Sequence, residues 1–252
     1  SEPLFVSILL HGNEEVGLLA IQDLLRKNAS GTLPRSLSIF VGNVAAAQKN
    51  ARYLPNQADY NRVWPGADDD GTPEHAMMRH VIAEMRKRRV FESIDIHNNT
   101  GLNPHYACFT HLNFGNLHLA ALFARTAVYF QRPRGVQSMA FAPLCPSVTC
   151  ECGKVGDKSG VRHAAEFLDA CLHLSEVPQY PLAEGDLHLF HTIATVKVPS
   201  RVDFAFDDSD TESSNSFDLT IRSDLERLNF QELPRGIVLA KSKLKSPSPF
   251  IV

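Results

Sequence analysis

The chain opens on an almost unbroken apolar run, residues 4–10 with Ser7 as the one polar member, and the run stops at His11-Gly12-Asn13-Glu14. A short continuous apolar stretch closed by glycine predicts a strand buried on both faces. Leu18, Leu19, Ile21, Leu24 and Leu25 then recur at helical spacing, and residues 28–34 predict the end of that helix. Residues 37–41 predict a second buried strand, closed by Gly42-Asn43. From 43 to 71 the periodicity fades and Asn, Arg, Asp and Pro become dense. Irregular segments of this length in compact domains are usually functional or mobile.

Thr72-Pro73-Glu74 predicts a helix start, with an N-cap residue, a first-turn proline and an early acid, and the helix runs to about Arg89. Its basic end, residues 86–89, suits the negative pole of the helix dipole and reads as a solvated helix end rather than a nucleic-acid patch. A strand at 90–96 ending at His97, a helix at 116–130, a strand at 147–152 and a helix at 159–174 follow. Alternation of strand and helix from 4 to 174 argues an α/β layered domain with a largely parallel sheet. Past Val177-Pro178 the character changes to short Thr/Val/Ile-rich stretches broken by Pro and Gly, with a polar, acidic surface loop at 206–216. The expected organisation is an α/β domain over 1–177 and a small β-rich module over 178–252.

Charge and composition narrow the function. With 25 Lys+Arg against 28 Asp+Glu the formal net charge is −3, which leaves no electrostatic footprint for nucleic acid. The longest apolar run is far too short to span a bilayer, and no basic-then-apolar leader is read at the start, so no membrane role is expected. Five cysteines, an odd number with Cys150 and Cys152 one residue apart, do not suit a disulfide framework. They read as reduced thiols in a cytoplasmic protein.

The chemistry gathers at predicted strand ends. In open α/β sheets ligands bind outside the carboxyl ends of the strands. His11 and Glu14 follow the first strand, His97 ends another, and Glu151 lies on a third. Two His and one Glu are an attested zinc set that leaves one coordination position open. Asp95 is either a partner behind His97 or a residue of the opposite sheet face. Cys150 and Cys152 alternate with Glu151 and are expected to face away from it as small hydrophobes. His105 and Tyr106 are candidates to line a pocket, with a buried Tyr and a surface His as the plain alternative. Asp68-Asp69-Asp70 reads as a solvated lead-in to a helix, and Trp64-Pro65 as a loop anchor.

These motifs, His11-Gly12-Asn13-Glu14, Gly42-Asn43, Arg52-Tyr53, Asn61-Arg62, Asp95-Ile96-His97 and Glu151, occur in an order that resembles the succinylglutamate desuccinylase/aspartoacylase family over residues 4–175. The resemblance implies a layered α/β/α, zinc-carboxypeptidase-like domain with a mixed, largely parallel sheet, plus a small C-terminal β-rich module. It implies one zinc per chain on His11, Glu14 and His97, Glu151 as general base and acid, Arg52 at the oxyanion, and Asn61 and Arg62 on a substrate carboxylate. The implied activity is zinc-dependent hydrolysis of the amide of an N-acyl amino acid or similar small carboxylate-bearing molecule, a carbon–nitrogen bond other than a peptide bond. A metallocarboxypeptidase, a peptidoglycan-type amidase and an inactive zinc-binding protein are the alternatives, and a homo-oligomer is compatible with the reading. Two departures leave the acyl group and the amine partner open: residues 140–148 contain no Arg, and no Tyr follows Tyr180.

Overall fold

The computed structural model describes residues 2–207 and 217–243, so all but the first two residues of the acidic stretch 206–216 lie outside the described residues. The chain divides into two compact units, residues 1–100 with 104–191, and 101–103 with 192–252.

The first unit is built on β1 (Leu4–Ile8), α1 (Val16–Lys27), β2 (Leu37–Val41), α2 (Val44–Ala47), α3 (Pro73–Lys87), β3 (Glu92–Asn99), β4 (Tyr106–Phe109), α4 (Phe114–Phe123), β5 (Thr126–Tyr129), α5 (Gln137–Phe141), β6 (Ser147–Lys154), α6 (Lys158–His173) and β7 (His188–His191). Its seven strands run in the order β2-β1-β3-β6-β4-β5-β7. All neighbours are parallel except β4 and β6, so the sheet is mixed and largely parallel, as the pattern predicts.

Both faces are covered, which is why β1 reads as continuously apolar. Leu4, Val6 and Ile8 point into a core shared with Ala20 and Leu24 of α1, Phe123 of α4 and Leu168 of α6. Phe5 points the other way, stacks on Phe141 of α5 at 4.5 Å, and joins Met78 and Ile82 of α3. Trp64 completes that second core, fully buried 5.8 Å from Phe40 and 5.9 Å from Phe141, which makes it the loop anchor expected of it. Cys150 and Cys152 lie in the first core and are fully buried, and every cysteine is free.

Several elements differ from the sequence pattern. The helix expected over 116–130 ends at Phe123, and residues 126–129 form β5 instead. Thr126 and Val128 are β-branched, and pairing with β4 outweighs the helical spacing of their neighbours. β4 and the five-residue α5 are too short to stand out in the sequence. The irregular 43–71 segment contains one short helix, α2, capped by the Asn43 side chain accepting from the Ala46 amide at 3.1 Å. Residues 178–191, assigned from sequence to the C-terminal module, fall in the first unit, because β7 hydrogen-bonds alongside β5.

The second unit holds β8 (Phe204–Phe206), β9 (Leu219–Ile221) and β10 (Ala240–Ser242) in a small sheet of order β10-β9-β8, around Val202, Leu219 and Ile221.

One buried group tests the energetics of the first unit. Glu92 on β3 is fully buried, and neither carboxylate oxygen has a hydrogen-bond partner of ordinary geometry. Burial raises its pKa from 4.5 to about 7, against the pull of Arg35 and the Cys171 thiol. The folded state therefore holds a proton there that the unfolded chain releases, so Glu92 costs stability as pH rises from 4.5 to 7, and the cost is constant above that. Glu92→Gln is expected to stabilise the protein by up to about 3 kcal/mol at pH 8, at about 1.4 kcal/mol per pKa unit, and by almost nothing at pH 4.5. Denaturant melts of parent and variant at both pH values check this; an equal difference at both would show that folding leaves the Glu92 pKa unchanged.

Candidate active site

β1, β3 and β6 are adjacent parallel strands, so their carboxyl ends deliver side chains to one rim. After β1 the chain turns sharply: Leu9 takes φ +55°, a region rare for a branched side chain, and its carbonyl accepts from the Asn43 amide at 2.7 Å. His11 and Glu14 follow in the turn. A Cβ on Gly12 would lie 2.3 Å from the Ala47 amide nitrogen, so only glycine lets the 46–51 backbone press against this turn. The Gly12 amide donates to the Arg52 carbonyl at 3.0 Å, which ties Arg52 to the same place.

His11, Glu14 and His97 converge. The Glu14 carboxylate lies between the two imidazoles, with Oε1 2.9 Å from His11 Nδ1 and Oε2 2.6 Å from His97 Nδ1. One ligand atom from each of the three lies within 4.8 Å of the others, and all three residues are buried. The far nitrogen of each ring is also engaged: His97 Nε2 lies 2.7 Å from Asp95 Oδ2, and His11 Nε2 lies 3.1 Å from Asp59 Oδ1. Ser7, the polar break in β1, donates to Asp95 Oδ1 at 2.8 Å. Asp95 is thus the partner behind His97, on the same face of β3. Nitrogen and oxygen donors facing inward with carboxylates behind the imidazoles are the arrangement in which a divalent metal's ligands are held. The donor set therefore fits a metal ion.

The charges agree with this reading. Burial alone would raise the pKa of Glu14, but the two histidines overcome it and hold the carboxyl at about 2. Burial disfavours charge on His97, yet Asp95 and Glu14 keep its pKa well above the usual imidazole range. Asp59 is held far below its ordinary value by His11, the Asn61 amide and Arg62, against the effect of burial.

Glu151 sits beside the cluster, in register with His97 across the β3–β6 pair. Burial raises its pKa to about 7, with the Glu14 and Asp95 charges adding to the rise and the histidines opposing it. Perturbed carboxyls beside a metal-type donor set are what acid–base catalysis requires.

The 52–62 segment meets the same rim. Arg52 donates from Nη1 to Glu14 Oε1 at 3.2 Å, and its Nη2 lies 2.7 Å from His11 Nε2, while 43% of its side chain stays exposed. Asn61 is buried, its Nδ2 3.2 Å from His97 Nε2 and its Oδ1 accepting from the Gln137 amide at 3.1 Å. Arg62 is exposed and donates to the Asn61 carbonyl. All seven residues singled out in the sequence thus occur on or beside one rim, with Arg62 outermost. Asp59 and Gln137 belong to the same network and were missed as site residues. Asp59 had a usable signal, lying two residues before Asn61; Gln137 had none, since it reaches the site only through the fold.

A model of the "Succinylglutamate desuccinylase/Aspartoacylase catalytic domain" matches residues 4–174. The chain belongs to this family. It is 26% identical over 265 residues to a succinylglutamate desuccinylase of Burkholderia lata, covering 94% of this chain and 69% of that protein. It is likewise 26% identical over 271 residues to one of Photorhabdus laumondii, covering 99% and 80%. Among solved structures, the succinylglutamate desuccinylase of Chromobacterium violaceum superimposes with a TM-score of 0.64 at 18% identity, covering 84% of this chain and 72% of that one. Murine aminoacylase 3 does so with a TM-score of 0.61 at 16% identity, covering 96% and 84%. The carboxypeptidase-like layered fold is common to these deacylases and to this family member.

A second cluster, Asp69, Asp70 and His75, also has metal-type spacing, so the solvated Asp run does find a partner ligand. Asp69 is paired with Arg79, and His75 Nδ1 already meets Asp70 Oδ1 at 2.9 Å and Thr72 Oγ1 at 2.8 Å. The cluster therefore locks the loop to the start of α3. Among the described residues no helix is long and apolar enough to cross a membrane.

The carboxylate behind His97 gives a direct test. Asp95→Asn keeps the shape but weakens the acceptor that orients the imidazole, and loss of such a partner typically costs about 10–100-fold in metal affinity. Competition with a chelator of known affinity measures it; unchanged affinity would reduce Asp95 to a packing role.

Proposed function

We propose that this chain is a hydrolase with one zinc per chain that cleaves the amide of an N-acyl amino acid, or a similar small carboxylate-bearing amide, in the cytoplasm. The observation that carries the reading is the buried His11–Glu14–His97 donor set with Glu151 in register beside His97. Family membership and the five free cysteines support it. Zinc in such a site lowers the pKa of water and polarises a carbonyl.

The chain's own residues supply the rest. Glu151 accepts a proton from the attacking water as its oxygen bonds to the acyl carbon. It then delivers that proton to the leaving nitrogen as the C–N bond breaks, so one water is consumed and a carboxylic acid and an amine are released. Arg52, held against Glu14 and Asp59 but still exposed, turns its guanidinium toward the oxyanion of the tetrahedral intermediate. Arg62 forks onto the substrate carboxylate. Asn61 completes that subsite by accepting from Arg62 through its carbonyl while its amide braces His97.

The test is metal analysis coupled to a panel of N-acyl amino acids, with and without chelation. A chain that binds zinc and hydrolyses nothing on the panel would be a metal-binding scaffold instead. Glu151→Gln is expected to retain zinc and lose about 10²–10⁴-fold in turnover, the usual worth of general acid–base help. Near-parental turnover in that variant moves the base elsewhere, and loss of zinc makes Glu151 a ligand. For Arg62, the comparison is an N-acyl amino acid against its carboxamide. The parent is expected to prefer the acid, because only a carboxylate accepts the charge-assisted fork from the guanidinium, and Arg62→Ala is expected to shrink that preference. Equal rates on acid and amide in the parent would remove the carboxylate subsite.

A further inference from the structure

Glu151 has a second neighbour across the sheet that the chemistry above does not use. β4 runs antiparallel to β6, with Tyr106 directly opposite Glu151 and Cys108 opposite Thr149. Directly opposed residues in an antiparallel pair share a face, with Cβ atoms about 4.5–5.5 Å apart. Burial agrees with this, since Ala107 and Phe109 lie in the core under α4 and α6, while Tyr106 is half-buried on the other face. A row His97–Glu151–Tyr106 therefore crosses three strands on one face of the sheet. The metal-type donors stand on one side of Glu151 and the phenol on the other.

Burial and the Glu151 charge push the Tyr106 pKa above its ordinary value of 10, so the hydroxyl stays a neutral donor throughout the working range. Beyond Tyr106 the face continues through Cys108, Thr149 and Val128, placed by the β4–β6 and β4–β5 registers. None of them carries a cation.

The direction of proton delivery decides which half of the substrate reaches this wall. Glu151 must come within about 2.6–3.2 Å of the leaving nitrogen. The acyl carbonyl is drawn to the opposite side, toward Arg52 and the donors it touches. Resting on the amidohydrolase reading, we propose that Tyr106 is a specificity-determining residue that forms the wall of the amine-side pocket and selects N-acyl amino acids with uncharged, aromatic or apolar side chains. A side-chain carboxylate would meet the Glu151 carboxylate and the uncharged Tyr106, Cys108 and Thr149. The substrate's α-carboxylate remains the partner of Arg62.

The experiment holds the acyl group constant and varies the amine. N-acetylphenylalanine, N-acetylleucine, N-acetylaspartate and N-acetylglutamate, with N-succinylphenylalanine as the acyl-group control, are compared by kcat/KM in the parent, Tyr106→Phe and Tyr106→Ala. Binding of the free amino acids is measured by calorimetry, and zinc content is checked in each protein. The parent is expected to favour the phenylalanine and leucine substrates over the acidic ones by about tenfold or more, within the about 10–200-fold range that pocket fit supplies. Tyr106→Ala is expected to lose most of that preference, while its ratio between acetyl and succinyl forms of one amino acid stays near parental. Tyr106→Phe is expected to keep the aromatic preference. A merely structural tyrosine would lower all rates alike and leave both ratios near parental, which overturns the proposal. So would a parental preference for aspartate or glutamate, or amine selectivity that survives in Tyr106→Ala. A parent that neither hydrolyses any of the five nor binds any free amino acid would refute the amidohydrolase reading itself, and the amine-side pocket with it.

Discussion

The site depends on one buried charge. Glu14 lies between two imidazoles with almost no contact with water, and an isolated carboxylate in that position would cost several kcal/mol. It is tolerated because His11 and His97 each present Nδ1 to one of its oxygens. Those rings are tolerated in turn because Asp59 and Asp95 accept at their far nitrogens. Ser7 and Asn61 then steady Asp95. The polar residues inside otherwise apolar strands therefore form one connected network.

That network constrains the fold around it. Three adjacent parallel strands must end at the same level for His11, His97 and Glu151 to meet, and the parallel registers of β1, β3 and β6 bring this about. The sharp turn at Leu9 and the close approach allowed by Gly12 bring the 43–62 segment over the same rim. With Trp64 locked between Phe40 and Phe141, that segment has a buried anchor although it lacks regular structure. β4 is inserted antiparallel beside β6, and this reversal sets Tyr106 next to Glu151. The parallel strands β1, β3 and β6 assemble the reacting groups, and β4, the first of the three strands that run the other way, supplies the wall beside them.

Much of this was legible in the residues. The continuous apolar runs of β1 and β2, the helical periodicity of α1, α3 and α6, and the alternation of cysteine with Glu151 on β6 each have a local physical cause that the chain states directly. The same holds for the His11–Glu14 spacing, since two ligands three residues apart in a turn reach one point whatever else the chain does. Elements with weak local signals were lost: α4 and β5 merged into one expected helix, and β4 and α5 were too short to notice. Their conformations come from pairing and packing partners distant in sequence.

The sequence by itself determined the α/β class, the buried strands, the identity of the metal-type donors and the irregular segment carrying Arg52, Asn61 and Arg62, because periodicity and residue type act locally. Only the tertiary structure decided that Asp95 stands behind His97 and Asp59 behind His11, and that Asn61 turns inward to brace His97. It alone decided that β7 completes the first sheet and that Tyr106 faces Glu151 across an antiparallel pair. Those outcomes depend on strand order and register, which are set by long-range burial and backbone pairing rather than by any neighbouring residue.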